Sequence, residues 1–116
     1  MMDARKKDLP ILDWDLAVKI AGNQPDLAKD ILAMLTRDLP NDLTMINQLA
    51  AEKQYPELLR CVHKLHGAVA YCGAPRLKEI LAYIELQMKS NALDSLPALI
   101  NQLNIEVNDL LEECRP

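Results

Sequence analysis

A chain of 116 residues suits one domain with one core; half of its residues are hydrophobic, yet only Trp14, Tyr55, Tyr71 and Tyr83 are aromatic. A formal net charge of −4 and a pI of about 5.1 exclude the basic footprint of a nucleic-acid binder and disfavour adhesion to anionic membrane. Abundant leucine, alanine and isoleucine without β-rich runs point to an all-α fold.

Residues 1–10 are charged, include Arg5, Lys6 and Lys7, and carry no helical stripe, so they read as a linker or leader ahead of a single domain over 11–116. They lack the apolar centre of a signal peptide, and no run in the chain approaches the ~20 apolar residues of a spanning helix. A soluble cytoplasmic domain without direct membrane contact is the expectation. The three cysteines, Cys61, Cys72 and Cys114, are odd in number and fall on inferred apolar helix faces, which suits buried reduced thiols.

Asp13 is an N-cap candidate for a short helix through Trp14, Leu16, Ala17, Ile20 and Ala21, stopped by Gly22 and Asn23. Pro25 then suits a first helical turn. Leu27, Ile31, Met34, Leu35, Leu39, Leu43, Ile46, Leu49 and Ala50 hold one face for several turns, with Pro40 inside the pattern. Because the stripe keeps phase across the proline, one long helix kinked at Pro40 is expected, two helices being the alternative.

Pro56 opens the next helix, in which Leu58, Cys61, Val62, Leu65, Val69 and Cys72 gather into one stripe before Gly73 and Pro75 end it. Leu77, Ile80, Leu81, Ile84 and Met88 mark a further helix. Asp94 and Ser95 supply a capping signal for the last, with Leu96, Leu99, Ile100, Leu103, Val107, Leu110 and Cys114 on its apolar face. Four such helices joined by short connectors predict an antiparallel four-helix bundle, with the Asp13 helix packed across one end.

Steps of about 100° per residue put His63 roughly 160° from Leu65, on the face pointing to water. Leu59, Arg60, Gly67 and Ala70 are read around it on that face, Leu59 and Ala70 as an apolar docking patch. A glycine inside a helix costs about 0.5–1 kcal/mol relative to alanine. Gly67, four residues after His63, offsets that cost if its missing side chain clears space above the imidazole for another molecule.

A surface imidazole with one free ring nitrogen suits acceptance of a phosphoryl group from a partner that brings its own active site. Lys64 and His66 are the nearest candidates to contact phosphate oxygens, with Arg60 one turn before. No carboxylate trio surrounds His63, so no cofactor of its own is expected, and any Mg²⁺ would sit on the partner. Glycine-rich nucleotide signatures are absent, so an ATP site and autonomous kinase activity are not expected. A zinc shared by His63 and His66 lacks further ligands at matching spacing. Counting eleven residues back and eleven forward from Ala74 brings His63 and Glu85 to the same height on adjacent helices. Glu85 is thus a candidate to hold the Nδ1 proton and leave Nε2 as nucleophile, although on the wheel it must reach around the flank.

The run His63-Lys64-Leu65-His66-Gly67, with Gly73 ten residues after the histidine and then Leu77, Leu81, Ile84 and Glu85, resembles the motif of histidine-containing phosphotransfer (Hpt) domains. The opening over residues 12–17 and the Leu39-Pro40 interruption match as well. The form followed by Gly73-Ala74-Pro75-Arg76 is similar to the C-terminal Hpt domain of BarA/GacS-type hybrid sensor kinases. The resemblance implies a phosphorelay intermediate with His63 as phosphoacceptor, Gly67 as clearance residue, Gly73 as the structural turn and Glu85 as imidazole partner. It implies response-regulator receiver domains as partners, and a monomer is expected. His66 stands where the family has lysine, which leaves open whether it or Lys64 holds the phosphate. A non-catalytic helical protein-protein interaction module is the competing reading.

Overall fold

The computed structural model describes residues 9–115, and all but the last two residues of the expected leader lie outside them. Five helices follow in order: α1 (Trp14–Ile20), α2 (Pro25–Ala51), α3 (Tyr55–Val69), α4 (Pro75–Lys89) and α5 (Leu96–Glu113). Among the described residues there is no strand. Contacts run α2 to α3, α3 to α4, α4 to α5 and back from α5 to α2, so the four longer helices close a ring around one core. Its buried centre includes Leu39, Ile46, Leu58, Val62, Ile80, Ile84, Leu103 and Leu110.

Asp13 caps α1, its side chain accepting the Leu16 amide at 3.1 Å. Ser95 occupies the N-cap of α5, but its side chain makes no capping bond. The long helix α2 passes through Pro40 without a break. Pro40 lies on its exposed face, where the carbonyl that the missing N–H leaves unpaired can meet water.

The expected α2 stripe shifts at its start. Leu27 and Met34 are exposed, and Ala28 is buried instead. At Ala28 the cause is α1: Ala17 and the capping residue Ala21 form a separate small-residue cluster with Ala28.

Polar ties join α5 to both of its neighbours. Asn47 on α2 and Asn104 on α5 exchange side-chain hydrogen bonds at 2.9 and 3.0 Å. Arg76 on α4 meets the fully buried Glu106 of α5 at 3.2 Å, and Gln102 donates to the same carboxylate at 3.0 Å. Such pairs fix which faces meet, because a buried carboxylate without donors would be strongly unfavourable.

The turn from α3 to α4 is set by Gly73. Its φ is +64°, and a Cβ there would lie 2.6 Å from the Asp13 carbonyl oxygen and 2.7 Å from the Ala17 methyl. The Asp13 amide also donates to the Gly73 carbonyl at 2.8 Å. Glycine is therefore needed twice over, for the left-handed backbone and for the close approach of α1. This contact seats α1 against the end of the bundle where α3 turns into α4.

Candidate functional site

Leu58, Val62, Leu65 and Val69 are the buried face of α3, so the helix turns His63 outward, its side chain 70% exposed. The space above Gly67 is open: a Cβ built there meets nothing within 4 Å. On α4, Leu81, Ile84, Glu85 and Met88 are buried, and Glu85 stands at the edge of that face which borders α3.

His63, His66 and Lys89 converge on the Glu85 carboxylate. Nδ1 of His63 bonds to Oε2 at 2.5 Å, and Nδ1 of His66 bonds to Oε1 at 3.0 Å. The Lys89 ammonium, one turn along α4, donates to Oε2 at 3.0 Å. Burial pushes the Glu85 carboxyl up, but the hydrogen bonds from Lys89, His63 and His66 outweigh it and hold the group down at about 2. An ionised carboxylate only accepts, so both imidazoles donate through Nδ1–H. For a neutral His63 ring the lone pair then resides on Nε2, at the exposed end.

The two flanks of α3 differ. Leu59, His66 and Ala70, spaced by seven and four residues, share the flank beside α4. Leu59 is half-buried against the core, so it is not the open docking residue expected. Ala70 is half-buried too and lines a shallow notch with Leu16 and Ile20 of α1 and Ala82 of α4. Both residues lie at the edge of the exposed face, where α3 meets its neighbours, whereas Arg60, His63 and Gly67 nearer its centre stay exposed.

Cys61, Lys64, Ala68 and Tyr71 form the opposite flank. They line a groove of about 640 Å³ against α2, which supplies Met34, Met45, Asp38 and Asp42. Asp42 is shifted upward, by burial first and then by Asp38, while Lys64 works in the other direction. Lys64 thus faces α2 rather than the Glu85 cluster. Arg60 is exposed and paired with Glu57 at 2.9 Å. Of the expected phosphate neighbours, only His66 joins the cluster, and it does so on the carboxylate.

Lys89 was not singled out by the sequence reading. The available signal was its place four residues after Glu85, the spacing at which an acid and a base on one helix meet. Among the described residues no group of three or more His, Cys, Asp or Glu side chains could hold a metal ion. None of the described helices is long and apolar enough to cross a membrane.

A ring of four helices with one imidazole held outward by a buried carboxylate is the class of molecule that fold and site define together. The model of the Hpt domain family matches residues 30–113. A solved Hpt domain from a sensor hybrid histidine kinase of Shewanella superposes with a TM-score of 0.83, at 30% identity over 89% of each chain. The signal transduction histidine-protein kinase BarA of Shigella flexneri is 35% identical over 102 residues, 88% of this chain and 10% of that protein. The sensor protein GacS of Pseudomonas syringae pv. syringae is 35% identical over 105 residues, 90% of this chain and 12% of that protein. The chain belongs to the Hpt domain family. It spans about a tenth of the length of the curated relatives it matches.

Proposed function

We propose that this domain is a phosphorelay intermediate in which His63 takes a phosphoryl group from the aspartyl phosphate of one receiver domain and hands it to the aspartate of another. The observation that carries this reading is the pairing of an exposed His63 ring with Glu85 at Nδ1, which leaves Nε2 directed to solvent beside the open space over Gly67. In the transfer, the Nε2 lone pair attacks phosphorus, the P–O bond of the acyl phosphate breaks, and the receiver's aspartate leaves as a carboxylate. The ring keeps its Nδ1 proton throughout. The reverse sequence delivers the group onward. A divalent cation such as Mg²⁺ belongs, on this reading, to the receiver, where the phosphate charge must be neutralised.

Membership in the Hpt family supports a carrier without an ATP site of its own, and the similarity to BarA, to GacS and to the Hpt domain of a sensor hybrid histidine kinase supports an origin within a hybrid sensor kinase; a place in the cytosol is part of the same proposal. The same membership weighs against a purely structural interaction module. The test is transfer of label from a phosphorylated receiver to the parent domain and to His63→Gln. The expected result is acid-labile, base-stable label on the parent and none on the variant. Equal labelling of both would overturn the assignment.

A further inference from the structure

Glu85 presents a problem to a nucleophilic histidine. A buried carboxylate bonded to a neutral imidazole favours the protonated ring, and an imidazolium has no lone pair with which to attack phosphorus. Lys89 stands where that pull can be cancelled. Its ammonium and the His63 Nδ1–H approach the same atom, Oε2 of Glu85, at 3.0 and 2.5 Å. The carboxylate side chain is only 8% exposed, whereas that of Lys89 is 58% exposed. The lysine therefore closes the open side of a buried acid. An ordinary surface pair four residues apart on a helix has no third partner at the shared oxygen; here that partner is the ring of His63.

We propose that Lys89 is a positioning residue for phosphoryl transfer at His63, balancing the Glu85 charge so that the imidazole remains neutral with its lone pair on Nε2. The proposal rests on the reading of His63 as phosphoacceptor. Among the described residues, the groups that bear on the ring are few. From α4 come Glu85 and Lys89, and from α3 His66, bonded to the other carboxylate oxygen. Arg60 is engaged by Glu57, and Lys64 lines the groove toward Asp38 and Asp42. On α5, the neighbour of α4, Glu106 and Asp109 face Arg76 near the start of α4. Among the described residues, Lys89 is the one lysine or arginine that touches the carboxylate.

The experiment follows transfer from a phosphorylated receiver to the parent, Lys89→Met, Lys89→Arg and His63→Gln, from about pH 6 to about pH 9. Rates are read as the ratio of variant to parent, which cancels the donor's own pH dependence, and helical content is checked by circular dichroism. For K89M the ratio is expected to fall to about one tenth at the acid end, where protonation competes for the ring, and to approach one at the alkaline end. K89R should track the parent. A K89M ratio that is flat across pH, whether unchanged or uniformly lower, overturns the proposal, as does a K89R profile identical to that of K89M. Label on H63Q would instead overturn the phosphoacceptor reading, so the two failures are distinguishable.

Discussion

His63 and His66 divide one carboxylate between them, each donating from Nδ1 to a different oxygen of Glu85. Three residues apart on α3, they lie close enough on the helix surface for a single acid on α4 to span both. The arrangement makes the geometry of the site depend on Glu85 being ionised.

That dependence has a pH signature. The folded Glu85 carboxyl is held at about 2 against an ordinary 4.5, and a depressed acid stabilises the fold above its unfolded value. This contribution is lost as pH falls from about 4.5 toward about 2. Glu85→Gln should therefore flatten the acid limb of stability in that window, measured by urea titrations at a series of pH values. At neutral pH the same variant should transfer about 10–100-fold more slowly, because the amide no longer fixes the ring as a carboxylate does.

Gly67 separates access from stability. Since a methyl there meets nothing within 4 Å, Gly67→Ala should stabilise the fold by about 0.5–1 kcal/mol through helix propensity. Gly67→Phe should leave the thermal transition near that of the parent while blocking transfer from a receiver. Melting curves and transfer rates on the two variants check both halves.

Gly73 is expected to behave in the opposite way. With φ at +64° and no room for a Cβ beside Asp13 and Ala17, Gly73→Ala should lose about 2–4 kcal/mol, from backbone strain together with displacement of α1. Chemical denaturation measures the loss.

Arg76 tests the buried tie to α5. Arg76→Met keeps the length but removes the cation facing Glu106, a residue 1% exposed. A loss of about 3 kcal/mol at neutral pH is expected, since an acid stranded in the core is worse than none. The double variant Arg76→Met, Glu106→Leu should recover much of it, read by the same denaturation series.

Hydrophobic period made most of the fold readable. The buried faces of α3, α4 and α5 follow the apolar spacing, except that Cys61 and Cys114 are only half-buried and Glu85 and Glu106 join the buried faces; the cap at Asp13 and the break at Gly73 carry their own local chemistry. The height of Glu85 against His63 followed from counting around Ala74. Lateral placement was harder to read, because a helical wheel gives angles within one helix and is silent on how far its neighbour covers the flanks. The wheel therefore leaves Leu59 and Ala70 open where the structure half-buries them, and it points His66 toward phosphate where its Nδ1 bonds the acid. At the start of α2, Ala28 rather than Leu27 turns inward, toward the alanines of the α1 end, and Met34 is left at the groove beside α3.

The acid beneath His63 has a second consequence, for release rather than capture. In the proposed relay, with phosphorus bonded to Nε2 and the Nδ1–H kept by Glu85, the ring would carry a positive charge and be a better leaving group than a neutral one. On that reading the Nδ1 proton, kept in place by Glu85, lets the ring leave as neutral imidazole rather than as an anion, so the one contact serves traffic in both directions.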